Sequence, residues 1–221
     1  MPIKRTDLTG VKTTAAPLST DLFFKIKEDI LSGRLKSNQK LTEQTICDKY
    51  KVSRTPVREA LLQLEMEGLI ENVPNRGAFV LGLSSQDVED IYTLRKLYEV
   101  QAVKWAISRI TEDEMDELEE TFEFMEFYTM KNDLSKMLNI NIAFHQMIYR
   151  ASHNRMLRHL LSSYQVYLKH HKKTSVDPVL YLNEVLDEHR QIFQAFRDGD
   201  IEAGIRAMEK HMDNSKKRNF R

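Results

Sequence analysis

Val52-Ser53-Arg54-Thr55-Pro56-Val57-Arg58-Glu59-Ala60-Leu61 decides how the first third of this chain is read. Ser53 and Thr55 place hydroxyls and unpaired backbone N–H groups at a helix start, where the helix dipole favours a phosphate. Pro56 is tolerated in the first turn, because its missing N–H has no helical partner there. Ala60, Leu61 and Leu64, with Val57, supply an apolar face. Arg54 and Arg58 are four apart and project together from a second face. Two forked guanidiniums on one helix face can each read guanine O6 and N7 in a major groove. The segment is predicted to be a DNA-recognition helix.

The neighbouring segments give that helix a setting. Leu22, Phe23, Ile26, Ile30 and Leu31 recur at helical spacing from Thr20, and Gly33 stops the run. Thr42 can cap a short helix to Tyr50, and Lys51-Val52 form a tight turn before the recognition helix. Gly68 ends that helix. Leu69 to Val73, the turn Pro74-Asn75-Arg76-Gly77 and Ala78 to Leu81 then read as a β-hairpin. Three helices and a hairpin make a winged helix-turn-helix over residues 19–82. Residues 1–18 read as a flexible tail. Lys36, Lys40, Lys49 and Lys51 lie around the motif as candidate phosphate contacts, Arg34 is a further candidate DNA contact, and Arg76 with Gly77 at the hairpin tip could reach the adjacent groove.

The chain has 221 residues and a formal net charge of zero, which first argues against nucleic acid. Counted by region the argument reverses. Arg34 to Arg58 carries seven basic and two acidic residues, whereas Glu112 to Glu126 carries nine acids and no base. Charge asymmetry of this kind suits a nucleic-acid-binding module joined to something else. A single cysteine, Cys47, excludes an internal disulfide framework and reads as a small apolar filler. There is no apolar run long enough for a membrane span and no signal-peptide h-region, so the expected location is the cytoplasm.

From Ser84 onward the pattern is helical. Capping signals at Ser84 (with Asp87), Thr111 (with Glu114), Asp133, Asn154, Asp177-Pro178 and Asp200 predict six helices ending near Ser108, Met130, Ala151, Lys172, Gly199 and Asn214. The fold class is therefore mainly α. An N-terminal winged helix-turn-helix is followed over residues 83–215 by an antiparallel bundle of six to seven helices, with residues 216–221 as a basic tail. Three histidines sit on apolar helical faces: His145, His189 and His211, with Asn141 one turn before His145. A lone buried histidine is usually a satisfied core residue. Three on three helices can share a metal ion, and on spacing alone both readings stand. His153, His159, His170 and His171 read as surface residues, and Tyr164 and Tyr167 as either pocket wall or core.

The first region resembles the GntR family of bacterial transcription regulators. The matching residues are Leu31-Ser-Gly-Arg-Leu35, Leu41-Thr-Glu43, the ten-residue motif, Glu67-Gly-Leu-Ile70 and Gly77-Ala-Phe-Val80. The resemblance implies operator contacts by Ser53, Arg54, Thr55 and Arg58, with Gly77 near the minor groove. Gln44 departs from it, standing where some members carry a basic residue. Residues 88–213 look like the FCD ligand-binding domain of the FadR-type branch, through Leu94-Arg95, Glu99, Phe144-His145, Ala151-Ser-His-Asn154, Glu188-His189-x-x-Ile192 and His211. That resemblance implies an Asp-His-His-His site for a divalent transition metal of the Zn, Ni or Mn class, here Asn141, His145, His189 and His211. Asn141 is a departure, since an amide oxygen is neutral and a weaker ligand than a carboxylate. It also implies homodimerisation and a small organic or sugar acid as effector, bound beside the metal at Arg95. Arg95 reads equally as an i,i+4 brace for Glu99.

Two function classes follow. One is an effector-responsive regulator whose dimer sits on a palindromic double-stranded operator. The other is a His-rich helical metalloenzyme with a fused DNA-targeting domain, against which stands the lack of a general base, because Glu188 leaves the helix on a different face from His189. A non-specific architectural DNA binder is disfavoured by the modest basic charge.

Overall fold

The computed structural model describes residues 18–74, 76–169 and 178–220. Residues 1–17 of the tail expected over 1–18, the turn residue Asn75, His170, His171, the expected helix end Lys172 and the cap Asp177 lie outside the described residues. The chain divides into two compact units at Leu83 and Ser84, and each is taken by itself.

The first unit holds α1 (Leu18–Leu31), β1 (Lys40–Leu41), α2 (Glu43–Tyr50), α3 (Arg54–Met66), β2 (Ile70–Val73) and β3 (Gly77–Val80). Its core is the periodic apolar set: Ile26 and Ile30 of α1, Ile46 of α2, Val57, Ala60 and Leu64 of α3 and Val80 of β3 are all buried. Thr42 caps α2, its hydroxyl accepting from the Thr45 N–H while the Thr45 hydroxyl accepts from the Thr42 N–H. Lys51 closes α2 in the left-handed region at φ 57°, and this turn aims α3. One element escapes sequence reading. The two-residue β1 pairs with β3 (Lys40 opposite Phe79, Leu41 opposite Ala78), so the hairpin is the larger part of a three-stranded antiparallel sheet in the order β1-β3-β2. A two-residue strand carries no legible period, and it forms because β3 has a free edge to satisfy.

The second unit comprises α4 (Ser85–Arg109), α5 (Glu112–Met130), α6 (Leu134–Ala151), α7 (Arg155–Leu168), α8 (Pro178–Asp198) and α9 (Ile201–Phe220). The capping residues expected from sequence sit at the helix starts: Ser84, Thr111, Asp133 and Asn154 each accept from a first-turn N–H, and Asp200 accepts from the Ala203 N–H. Two endings differ. The seventh helix stops at Leu168 rather than near Lys172. The ninth continues to Phe220, so residues 216–220 are helix and not a basic tail. The extension is held by tertiary contacts: Arg218 binds Glu188 of α8, Lys216 pairs with Glu89 of α4, and the Phe220 ring meets Tyr92 edge-on. Lys-Lys-Arg reads as a solvated tail only while those partners are unknown. Gly204 lets α9 lie close to its neighbours, because a Cβ there would stand 2.5 Å from Ile107 Cδ1 and 2.9 Å from Val103 Cγ1 of α4. The acids of α5 line its outer side, while Leu118, Phe122 and Met125 face inward. Among the described residues no helix is long and apolar enough to cross a membrane.

Candidate nucleic-acid interface and candidate metal centre

In the first unit, α3 presents Ser53, Arg54, Thr55 and Arg58 on its exposed side while Pro56, Val57 and Ala60 are buried. Ser53 is the N-cap residue, yet its hydroxyl makes no capping bond. The hydroxyl and the first-turn N–H groups are thus left for an outside acceptor or donor. Both arginines are engaged within the chain. Arg58 Nε and Nη2 donate to the two carboxylate oxygens of Glu43 (2.7 and 3.2 Å), and Arg54 Nη2 lies 3.5 Å from Gln44 Oε1. Glu43 and Gln44 open α2, so the helix preceding the turn holds the two guanidiniums in place. With Arg58 two-thirds exposed, such a pair is weak and exchangeable for a base or phosphate.

Arg34 is also tied inward. Its Nε donates to Asp29 Oδ1 (2.5 Å), while Lys49 Nζ and Tyr50 Oη both donate to Oδ2 (2.6 Å each). Burial pushes the Asp29 carboxyl up, but these three donors outweigh it and hold it at about 2. Lys51 is exposed at the turn. Arg76 lies over the Phe79 ring at 5.5 Å, at the hairpin tip beside Gly77. Gly77 has φ 96°, and a Cβ there would stand 3.3 Å from Lys40 Cε, so the tip tolerates only glycine without adjustment.

In the second unit, His145 (α6), His189 (α8) and His211 (α9) come together, each buried, with one ligand atom from each lying within 4.8 Å of the others. What each ring's Nδ1 touches fixes its tautomer. His189 Nδ1 lies 2.7 Å from the Val185 carbonyl, His211 Nδ1 2.8 Å from Glu188 Oε2, and His145 Nδ1 3.2 Å from Glu99 Oε2. Carbonyls and carboxylates only accept, so a neutral ring at each position carries its proton on Nδ1 and presents its Nε2 lone pair. Two of those lone pairs face each other, His145 Nε2 and His211 Nε2 being 3.2 Å apart. The third, on His189, is buried with no partner at all, as is Asn141 Oδ1.

Electrostatics keeps the lone pairs available. Burial, reinforced by His211 and His145, holds His189 well below the ordinary imidazole range. Burial also takes His211 to about 4, against the pull of Glu188. Proton-free nitrogens that converge repel one another unless a cation lies among them. Nitrogens ~2.1 Å from a common ion would be roughly 3.0–3.4 Å apart, which spans the 3.2 Å between His145 and His211. The donor set thus fits a divalent transition metal.

Carboxylates flank the cluster. Glu99 is fully buried and accepts from Arg95 (Nε, 2.9 Å) and from the Tyr149 hydroxyl as well as facing His145. Glu188 accepts from Arg218 through both oxygens (2.7 Å each) and from Asn214 Nδ2 (2.7 Å), besides His211. Arg95 is therefore a brace for Glu99, and it also borders a cavity of about 270 Å³ lined among others by Asn141, His145, Tyr181, His211 and Arg218. Tyr92 and Tyr181 wall this cavity; Tyr164 instead packs against Tyr98. His153 and His159 are exposed, the former 2.9 Å from Glu114, and Cys47 is half-buried. The sequence points away from Glu188, which its helix face sets aside as a general base, and gives no sign of Tyr149 or Arg218. Glu188 does leave α8 on a different face from His189, but α9 runs along that face and puts His211 there. The one available signal was that Glu188 is adjacent to a candidate ligand.

Comparison with known proteins gives the same division. The gntR family of bacterial regulatory proteins matches residues 18–80, and the FCD domain matches residues 90–214. The HTH-type transcriptional regulator YdhC of Bacillus subtilis is 28% identical over 85% of this chain and 84% of its own. The HTH-type transcriptional repressor RspR of Escherichia coli is 26% identical over 89% and 86%. Among solved structures, E. coli McbR/YncC superposes with a TM-score of 0.72 at 22% identity, covering 93% of this chain and 98% of that one, and so shares the fold. With the helix-turn-helix unit in front and the FCD domain filling more than half its length, this chain belongs to the GntR family of bacterial regulatory proteins.

Proposed function

We propose that the chain is a cytoplasmic transcription regulator, a repressor in the manner of the relative bearing that name, whose homodimer binds a palindromic double-stranded operator and responds to a small organic or sugar acid. In this reading α3 supplies the base contacts through Arg54 and Arg58. Ser53, Thr55, Lys51 and Arg34 meet phosphates, and Arg76 with Gly77 follows the adjacent groove. In the second unit the Nε2 atoms of His145, His189 and His211 hold a divalent transition metal of the Zn, Ni or Mn class, with Asn141 Oδ1 as a further ligand. The observation that carries the metal is the three inward lone pairs, one of them orphaned. When bound, the ion supplies a Lewis-acidic positive charge able to take a carboxylate oxygen. The cavity beside it, bordered by Arg95 and Arg218, is of a size for a small acid. Effector occupancy shifts the relative placement of the two DNA-binding units of the dimer.

The metalloenzyme alternative needs a free general base beside the metal. Both carboxylates at the site are already engaged, Glu99 by an arginine, a tyrosine and a histidine and Glu188 by an arginine, an asparagine and a histidine. Gel-shift titration on DNA upstream of the protein's own gene tests the regulator reading. Wild type is expected to bind sequence-specifically, and Arg54→Ala and Arg58→Ala to lose that preference. If both variants bind as wild type does, the recognition-helix assignment is wrong. A thermal-shift screen of organic and sugar acids, with and without added metal, then tests for the effector.

A further inference from the structure

Two chains of the same composition converge on the histidine cluster from opposite sides. Arg95 binds Glu99, whose other oxygen lies against His145 Nδ1; Arg218 binds Glu188, whose Oε2 also lies against His211 Nδ1. All six side chains are at least nine-tenths buried, apart from small residual exposure of the two guanidiniums. A carboxylate accepting from the back of an imidazole raises the basicity of its front nitrogen and fixes its orientation. An arginine on that carboxylate draws the same charge away. Arg218 also borders a second, outward-facing groove of about 420 Å³ between α8 and α9, so this chain runs from the surface to the histidines.

We infer that Glu99 and Glu188 are positioning residues that supply the negative charge Asn141 lacks to the three-histidine centre, and that Arg95 and Arg218 oppose them and hold metal affinity down. The inference rests on the metal reading of the second unit. It goes beyond it in assigning opposite signs to the two halves of each chain. A merely structural Arg–Glu brace has no such signature, since breaking it from either end disorders the ligand histidine and weakens binding. A charge-setting pair gives loss from one end and gain from the other.

The Arg218–Glu188 pair is the one to test, because it lies at the cluster's outer edge. Full-length protein stripped of metal is titrated with Zn²⁺ by calorimetry, and far-UV circular dichroism verifies the fold of each variant. Wild type is expected to bind about one ion per chain. Glu188→Gln keeps an acceptor oxygen for His211 Nδ1 but removes the charge, and should weaken Zn²⁺ binding by ~10–100-fold. Arg218→Gln should tighten it several-fold, and Arg218→Lys, which restores the charge, should return it to near the wild-type value. Weakening in both Glu188→Gln and Arg218→Gln, or no change in either, overturns the inference while leaving the metal centre intact. Failure of wild type to bind Zn²⁺, Ni²⁺ or Mn²⁺ overturns the metal reading itself, and this inference with it.

Discussion

Asp29 is a shared acceptor in the first unit. It is 8% exposed at the end of α1, and it gathers Arg34, Lys49 and Tyr50. These bonds tie α1 to α2 and so set where the helix-turn-helix sits on its supporting helix. Replacing Asp29 by Asn keeps the shape and removes the charge. The carboxyl is held at about 2 against an ordinary 3.8, and at about 1.4 kcal/mol per pH unit the variant should lose about 2.5 kcal/mol at neutral pH. For a unit of this size that is a fall in melting temperature of roughly 10–20 °C. The sign with pH follows from a depressed pKa. The contribution is complete above the unfolded value near 4 and disappears as pH falls towards 2. The two proteins should therefore differ by a constant amount from pH 5 to 8 and converge between pH 4 and 2. The single tryptophan, Trp105, lies in α4 of the second unit. Its fluorescence reports that unit, while far-UV circular dichroism reports both. Asp29→Asn should lower only the transition that the tryptophan does not see. An unchanged dichroism transition, or a difference between the two proteins that persists undiminished at pH 2.5, would mean that the Asp29 charge does not stabilise this unit.

Three further outcomes are expected. Gly204→Val places methyl groups into Ile107 and Val103, and should destabilise the second unit by on the order of 2 kcal/mol, read as an earlier tryptophan-fluorescence transition in urea; an unmoved midpoint means that α4 and α9 are not in close contact. Arg58→Ala should cost about 1–3 kcal/mol of discrimination between operator and random DNA, measured by competition binding, with a smaller effect on random DNA alone. Lys51→Gly suits the left-handed turn and should leave stability unchanged or raised, while lowering affinity for all sequences and reducing the salt slope by about one.

The elements with long periods and strong caps were legible in the sequence. Thr42, Ser84, Thr111 and Asn154 mark helix starts because capping is local chemistry, decided within four residues. The end of α9 was not, because what holds Lys216, Arg218 and Phe220 in helix is contact with residues about 30 to 130 positions away in the chain. The same distinction runs through the site. His145, His189 and His211 declare themselves as polar residues on apolar faces. Glu99 is visible only as the i,i+4 neighbour of Arg95, and its second role depends on α6 packing against α4. Glu188 points the wrong way until α9 is laid beside α8. The strand β1 is legible only to its partner, β3.

The claim on which most depends is that the three inward imidazole nitrogens are a metal centre. Elemental analysis of full-length protein, purified without chelator, by inductively coupled plasma mass spectrometry tests it most directly. Wild-type protein is expected to carry about one divalent transition-metal ion per chain, and His189→Ala, which removes a lone pair that has no other partner, substantially less. Wild-type protein free of metal, and still free after dialysis against Zn²⁺, Ni²⁺ and Mn²⁺, would contradict it.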